Sequence, residues 1–224
     1  MKTSRSTNLA LDQFIEWALY DKNFGYYMKK NPFGKEGDFI TAPNITRLFS
    51  EIVAVWIITF WKSIKSPKRF NLLELGAGNG EMMKVITETL RNFPECFNAC
   101  NFIILEKSDF LINHQKKNLN NKKISWVKNI KKIKPYPALF LANEFFDALP
   151  VKQFFKKKES WYERFVELKN KKTANFQEKK TNINKLEQNL EFKISKNQNI
   201  IEYSPAAFQY LKDICKLIHK NNGG

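Results

Sequence analysis

The feature that most constrains the fold of this chain is a short apolar run followed by three glycines at alternate positions, Gly76, Gly78 and Gly80. The run, residues 72–75, has the length of a strand, and residues 81–91 carry apolar side chains on one face of a predicted helix. A strand, a glycine turn and a helix form the first half of a nucleotide-binding βαβ unit. In such a unit the glycines tolerate positive φ and let backbone N–H groups approach a ligand closely.

The acidic residue before the turn indicates which kind of ligand the glycine turn would bind. The spacing is G-x-G-x-G rather than G-x-G-x-x-G, the P-loop Lys-Ser/Thr is absent, and Glu74 stands two residues before the first glycine. This pattern resembles motif I of S-adenosylmethionine (SAM) methyltransferases, in which the acid faces the methionine end of the cofactor. A glycine turn that binds no ligand is the alternative that stays open.

Strands and helices alternate after the glycine turn. Strand patterns cover residues 101–105, 123–127 and 137–142, and a helical pattern covers residues 109–119. The alternation predicts a doubly wound α/β sheet with ligands at the carboxyl ends of its strands. Residues 143–150 leave the last of these strands at that edge, and they place Asn143, Glu144 and Asp147 among aromatic side chains.

Glu106 directly follows the second predicted strand and lies 26 residues after Gly80. This is near the offset at which an acidic side chain binds ribose hydroxyls in nucleotide-binding βαβ units. We therefore interpret Glu106 as a ribose ligand. The pattern also allows a charge at a helix N-terminus or a surface residue.

The regions on either side of this core are predicted from periodicity and turn residues. Residues 1–66 are expected to form an N-terminal helical and loop region, and residues 67–224 a partial Rossmann-like domain with a β-hairpin and a polar insertion at about 151–200. The helix at residues 43–64 is apolar on most faces and is expected to be buried. The remaining elements are helices at 8–20 and 205–220, a loop at 21–38, a hairpin of 151–157 with 161–168, an exposed or mobile insertion at 170–185, and short strands at 190–194 and 200–202.

The net charge of +16 raises the question of a nucleic-acid partner. Only five of the 38 basic residues are Arg, and the lysines occur with abundant Asn, Ile and Phe. Solvated surface lysines that follow from A+T-rich codons explain this excess better than a binding patch, since base readers more often use Arg. A nucleic-acid partner is therefore not expected.

Three cysteines without a C-x-x-C motif and only two histidines argue against a disulfide framework and against a metal site. The most apolar run, residues 52–61, is too short to span a bilayer, and residues 1–11 lack the apolar core of a signal peptide. These features predict a cytoplasmic location in a bacterium.

Several separate motifs agree on one family. They are Gly25-Tyr26-Tyr27, Gly37-Asp38-Phe39-Ile40-Thr41-Ala42-Pro43, Leu73-Glu74-Leu75-Gly76-Ala77-Gly78-Asn79-Gly80, Asn143-Glu144-Phe145-Phe146-Asp147-Ala148-Leu149-Pro150 and Glu202-Tyr203-Ser204-Pro205-Ala206. In this order they resemble the MidA family of SAM-dependent methyltransferases, and the likeness runs from about residue 8 to residue 220.

The resemblance implies a class I methyltransferase, which in eukaryotic relatives is mitochondrial and acts on an arginine of a respiratory complex I subunit. By this likeness Gly76, Gly78 and Gly80 hold SAM, with Glu74 at its methionine end and Glu106 at its ribose. It also implies that Asp38, Asn143, Glu144 and Asp147 lie near the substrate and take part in catalysis.

The chemistry of arginine methylation suits carboxylates. A guanidinium is charged at all ordinary pH values and has no acceptor atom. Paired carboxylates can bind it bidentately and accept the proton that it loses on methylation. Glu144 and Asp147 are the candidates for this role, and the alternative is that they cap the following segment or bond to loop backbone.

The chain departs from the family at its end. Relatives continue through further strands of a seven-strand sheet, whereas this sequence supplies about four strands and the hairpin before Gly223 and Gly224. Two hypotheses follow. The chain is a SAM-dependent protein-arginine methyltransferase, active alone or completed by a separately encoded C-terminal half, or it is a non-catalytic remnant or SAM- or partner-binding module.

Overall fold

A computed structural model describes residues 7–34, 37–120, 123–169, 173–221 and 223–224. The strands are β1 Thr7–Ala10, β2 Phe70–Leu75, β3 Cys100–Leu105, β4 Ile124–Val127, β5 Ala138–Leu141, β6 Lys152–Lys157, β7 Ser160–Lys169, β8 Thr173–Thr181 and β9 Ile200–Tyr203. The helices are α1 Leu11–Tyr20, α2 Tyr26–Lys29, α3 Ala42–Ile45, α4 Arg47–Ser63, α5 Glu81–Leu90, α6 Pro94–Ala99, α7 Asp109–Leu119, α8 Asn184–Leu190 and α9 Pro205–Asn221. Short 3₁₀ turns lie at Ile130–Lys132 and Phe146–Ala148.

The chain forms two compact units. One unit comprises Tyr20–Ala148 with Gln209–Gly224, and the other comprises Met1–Leu19 with Leu149–Phe208. The division predicted between residues 66 and 67 differs from these units and stays a prediction.

The unit that contains the glycine turn is built on a parallel sheet in the order β4-β3-β2-β5. Leu73 of β2 lies opposite Ile103 of β3 on one side and Phe140 of β5 on the other. Every residue of β2 is buried, because helices cover both faces of the sheet. The four predicted core strands and the predicted α/β sheet are thus present.

Alternate residues of β2 supply the two cores of this unit. Phe70 and Leu72 pack with buried residues of α4 and α5 on one face. Leu73 and Leu75 pack on the other face with Ile214 of α9. Each core is a continuous cluster of aliphatic and aromatic side chains, which fixes β2 in the centre of the sheet.

Strand order places the glycine turn at a topological switch point. From β2 the chain moves outward through β3 to β4, and β5 then returns to the opposite side of β2. The segments after β2 and β5 therefore diverge at the carboxyl edge, which is where open α/β sheets bind ligands. The other edge of β5 is paired in part, since the Gly224 N–H donates to the Ala138 carbonyl at 2.9 Å and the Phe140 N–H donates to the Gly224 carbonyl at 3.0 Å.

The second unit is an antiparallel sheet in the order β1-β7-β6-β9, with β8 on the other edge of β7. The predicted hairpin is present as β6 and β7. One prediction for this unit is wrong. Residues 7–10 are a strand rather than the start of a helix, because Thr7 to Ala10 pair with β7. The polar insertion predicted at 170–185 is largely exposed where the structure describes it, and its residues 173–181 form a strand because their backbone pairs with β7 from Trp161 to Lys169. Residues 170–172 of the insertion lie outside the described residues.

The predicted helix at residues 43–64 is in fact two helices. Thr46 has extended backbone between them, and its hydroxyl accepts a hydrogen bond from the Leu48 N–H at 3.3 Å, which caps α4. The expectation of full burial is also wrong, because Leu48, Ile52 and Val55 are each more than half exposed. The strand predicted at 190–194 is absent, and residues 184–190 form α8 instead. No helix within the described ranges is long and apolar enough to cross a membrane.

Candidate functional site

Two phenylalanine rings pack against the glycine turn, Phe145 at Gly76 and Phe33 at Gly78. Gly76 and Gly78 have φ of +65° and +55°, which side-chain-bearing residues rarely adopt. A Cβ at Gly76 would lie 2.8 Å from the Phe145 ring, and a Cβ at Gly78 would lie 3.2 Å from the Phe33 ring. Both positions need glycine, because a side chain there would be crowded by a ring from the segment after β5 or from the segment before α3.

Glu74 presents a buried carboxyl group next to this turn. Its residue is 3% exposed, and its Oε2 atom has no hydrogen-bond partner. Burial, helped by the nearby charge of Glu106, raises the pKa of Glu74 to about 8, although a hydrogen bond from the Met83 N–H opposes the shift. An unpartnered buried carboxyl is costly, and a cationic ligand would relieve that cost.

Glu106 is fixed at the end of β3 by backbone and side-chain donors. Its Oε1 accepts from the N–H groups of Lys107 at 2.8 Å and Ser108 at 2.9 Å, and its Oε2 accepts from Gln115 Nε2 at 3.3 Å. Burial raises the pKa of Glu106, and these hydrogen bonds limit the rise. Glu106 is therefore not a surface residue. It does organise the backbone before α7, and its remaining lone pairs leave room for hydroxyl donors, so the ribose role stays a prediction.

The segment between α1 and α3 lies against Glu106 and the turn. The Tyr27 ring stacks on Phe33 with centroids 6.0 Å apart, and the Ser108 hydroxyl donates to the Tyr27 carbonyl at 2.7 Å. Burial and the Glu106 charge raise the pKa of Tyr27. Tyr27 thus packs between Phe33 and the end of β3.

Asp38 belongs to the same segment and is exposed. It accepts hydrogen bonds from the Lys30 ammonium and the Tyr26 hydroxyl. The Lys30 and Tyr26 hydrogen bonds lower the pKa of Asp38, whereas partial burial and the Asp38 carboxylate raise the pKa of Tyr26 to about 12. Asp38 is therefore held as a carboxylate by its own segment.

The segment after β5 reaches the turn through Phe145. Its ring packs edge-to-face on Tyr210 at 5.1 Å, which anchors the loop to α9. Glu144 has φ of +52°, a conformation that is uncommon outside glycine. Glu144 and Asp147, which precede and follow Phe145 in the sequence, are exposed, and Asn143 is half-buried.

The structure thus brings Glu74, the glycine turn, Glu106 and the Asn143–Asp147 loop together at the carboxyl edge of the parallel sheet, where the strand order predicts a ligand-binding crevice. Across the described residues no hydrogen bond joins Asp38 to Glu144 or Asp147, so these predicted catalytic residues are not linked directly. Their roles, like the cofactor roles of Glu74 and the glycines, stay predictions. No cluster of three or more potential ligands for a metal ion exists among the residues that the structure describes.

Sequence reasoning missed two residues of the crevice, Phe33 and Gln115. Phe33 lies in a loop whose conformation has no periodic signal. Gln115 did leave a signal, because it shares the buried face of α7 with Leu111, Ile112 and Leu119. A polar residue in such an apolar row marks a buried hydrogen-bond network.

Comparisons with known proteins relate this chain to one group of enzymes. A family model described as "Putative S-adenosyl-L-methionine-dependent methyltransferase" matches residues 52–224. The chain is 28% identical over 184 residues to "Protein arginine methyltransferase NDUFAF7, mitochondrial" from Xenopus tropicalis, which covers 71% of this chain and 43% of that protein. It is 33% identical over 166 residues to the Caenorhabditis elegans homolog of that protein, covering 65% of this chain and 38% of the relative.

A crystal structure of a Burkholderia thailandensis protein bound to S-adenosyl-homocysteine shares the fold. The TM-score is 0.77 at 20% sequence identity, and the match covers 94% of this chain and 55% of that one. This likeness confirms the predicted Rossmann-like methyltransferase fold. The chain spans less than half the length of the curated relatives that it matches.

Proposed function

The chain belongs to the MidA-like family of SAM-dependent methyltransferases, whose model matches residues 52–224, and on this premise we propose that it binds SAM and methylates a protein arginine. The observation that supports the proposal most is the buried Glu74 carboxyl with its unpartnered Oε2, next to the glycine turn at the switch point of the sheet. An uncharged ligand would leave this carboxyl uncompensated.

The residues of the crevice fit SAM. Its methionine end carries an ammonium and a sulfonium, which suit Glu74, and its ribose hydroxyls suit the free lone pairs of Glu106. Gly76 and Gly78 keep the turn close to the sheet, so that ligand and backbone can approach each other.

When bound, SAM supplies a methyl group that its sulfonium has already activated, so the chain mainly has to align the acceptor and manage charge. We assign this task to Glu144 and Asp147. Both carboxylates are exposed and therefore accessible to a protein side chain, and Phe145 between them is anchored on Tyr210. They would bind the guanidinium, and one of them would accept the proton that is lost on methylation. Asn143 and Asp38 would position the substrate segment.

The substrate belongs to the proposal as well. The matching relatives are named as mitochondrial protein arginine methyltransferases. We propose a subunit of respiratory complex I as the substrate and a cytoplasmic location for this chain, and both rest on the sequence.

Cofactor binding is tested by calorimetric titration of the 224-residue chain with S-adenosyl-homocysteine at pH 7, in phosphate and in Tris buffer. We expect saturable binding that releases a proton, because the pKa of about 8 keeps Glu74 largely protonated before its ammonium partner arrives. Glu74→Gln should weaken binding and remove the proton release. Glu95→Gln, an exposed residue of α6, is the control and should change neither. A folded chain that does not bind would rule out the proposal.

Methyl transfer is tested with labelled SAM and a peptide that contains arginine, next to the same peptide with lysine in its place. Transfer to the arginine peptide alone, lost in Glu144→Gln/Asp147→Asn but with cofactor affinity kept, would support the assigned roles. Cofactor binding without transfer to either peptide would instead favour a SAM-binding module that does not catalyse.

A further inference from the structure

Gln115 joins four segments of the crevice through one buried amide. The residue is 0% exposed. Its Oε1 accepts from the Trp126 indole N–H at 2.9 Å, and its Nε2 donates to the Gly78 carbonyl at 2.9 Å and to Glu106 Oε2 at 3.3 Å. The amide therefore connects α7 and β4 to the glycine turn and to the end of β3.

The chemistry of these partners leaves only one orientation for the amide. An indole N–H can only donate, so the amide oxygen must face Trp126. The two hydrogens on Nε2 then meet two acceptors, a backbone carbonyl and a carboxylate. All three polar contacts need a neutral group with one acceptor and two donors at this distance from the helix, which is a glutamine amide.

The same contacts complete the restraint on Glu106. Backbone N–H groups of Lys107 and Ser108 hold Oε1, and Gln115 holds Oε2. Without the amide, one oxygen of this buried carboxylate would lose its protein donor. The second glycine would also lose the side chain that fixes its carbonyl.

We propose that Gln115 is a positioning residue of the cofactor site, which ties the second glycine of the turn to Glu106 and so holds the carboxylate ready for the ribose hydroxyls of SAM. This rests on the proposed function, because it assigns Gln115 to the same site. Gln115 acts through Glu106 and the turn, and no contact with the cofactor is assigned to it.

The first test is a double-mutant cycle on the affinity of the full chain for S-adenosyl-homocysteine. Gln115→Met keeps the length of the side chain but removes its polar contacts, and it should weaken binding about tenfold. Gln115→Glu places a second carboxylate against Glu106 and should weaken binding further. In a Glu106→Gln background Gln115→Met should cost less than it does in the wild-type background, because the part of its effect that runs through the Glu106 carboxylate is already lost while the hydrogen bond to the Gly78 carbonyl remains to be removed.

Matched controls separate positioning from general stability. Gln153 donates to Glu202 Oε1 at 2.8 Å in the other unit, so Gln153→Met breaks a similar Gln–Glu hydrogen bond that does not belong to the unit with the glycine turn, and it should leave the affinity unchanged. Trp126→Phe is a second variant for the case in which Gln115→Met does not fold. It keeps Gln115 but removes the indole N–H that orients its amide, so it should weaken binding by the same route. Melting temperatures of all variants identify losses that are due to unfolding.

The second test needs no cofactor. Carboxyl ¹³C NMR follows the titration of Glu106 in a Glu74→Gln background, because Glu74 and the Tyr27 phenol are the titratable groups that face it. Gln115→Met should raise the pKa of Glu106, since a donor to the charged form is lost. An unchanged Glu106 titration or additive effects in the cycle would overturn the positioning role alone. Failure of the folded wild-type chain to bind S-adenosyl-homocysteine would overturn the proposed function and, with it, the role in cofactor binding.

Discussion

At the scale of single residues, Glu74 makes the stability of the chain depend on pH. Its folded pKa of about 8 lies above the ordinary value of 4.5, so between these pH values the folded state binds more protons than the unfolded state. The contribution of the protonated Glu74 carboxyl to the free energy of unfolding is therefore fully present below about pH 4.5, and it is lost as the pH rises through about 8.

We expect Glu74→Gln to remove most of this loss and to stabilise the chain at pH 8 relative to wild type, by roughly 2–5 kcal/mol. Denaturant unfolding without cofactor, at pH 5 and at pH 8, measures the difference. Glu95→Gln should follow the wild-type pH profile. A variant with the same pH slope as wild type would show that Glu74 is not the group that titrates.

Gly76 tests how the turn meets the loop after β5. Gly76→Ala should destabilise the chain by about 1–3 kcal/mol, because alanine is strained at positive φ and its Cβ would meet the Phe145 ring. Gly25→Ala, at an ordinary φ of −58°, should be nearly neutral. If Gly76→Ala were as stable as Gly25→Ala, the close contact with Phe145 could not be the reason for glycine at this position.

Gln115 and Phe33 show why the site could be predicted only in part. Glu74, the three glycines and Glu106 lie in short motifs around strand ends, so spacing along the sequence locates them. Gln115 reaches Gly78 across 37 residues of sequence and Phe33 reaches it across a loop, and no local pattern encodes such contacts.

At the scale of elements, α4 carries two apolar stripes with the same spacing. Ala54, Ile57, Ile58 and Trp61 form the covered stripe, and the buried Ser50 lies on the same face. Leu48, Ile52, Val55 and Trp56 form the exposed one. Helical periodicity cannot tell which stripe meets the sheet, so the sequence predicted burial on most faces where the structure has one buried face.

The two stripes predict losses of stability of very different size when a side chain is truncated to alanine. Ile57→Ala should cost about 2–5 kcal/mol, because Ile57 is 0% exposed and its loss leaves a cavity against α5. Ile52→Ala, at a position that is 59% exposed, should stay within about 0.5 kcal/mol of wild type. Denaturant unfolding of both variants measures this difference. Equal losses would mean that the face of α4 with Ile52 is covered in solution.

Strand predictions succeeded or failed according to how local their signal was. The core strands β2 and β3 are apolar runs buried on both faces, so composition alone identifies them. β1 pairs Thr7 with Leu168, and β8 is a polar edge strand whose partner is the backbone of β7. Neither strand has an apolar alternation of its own, and both depend on a partner that is already in place.

At the scale of the whole molecule, the charge of +16 is carried mainly by lysine side chains on the surface. Several of these lysines form ion pairs, for example Lys128 with Asp109 and Lys193 with Glu187. Such ion pairs contribute little to stability, because the lysine in each is exposed to solvent. A lysine-rich surface attracts polyanions through counterion release and without sequence preference.

We therefore expect weak and strongly salt-dependent binding to nucleic acids. Fluorescence anisotropy with labelled 20-nucleotide single- and double-stranded DNA should show binding at about 50 mM salt that falls by orders of magnitude at about 200 mM, with Kd weaker than about 1 μM near physiological salt. Two DNA sequences of equal length should bind alike, because surface lysines contact phosphates rather than bases. Binding below 1 μM that persists at about 200 mM salt and distinguishes the two sequences would contradict the interpretation of the charge as solvated surface lysine, and it would place a nucleic acid among the partners of this chain.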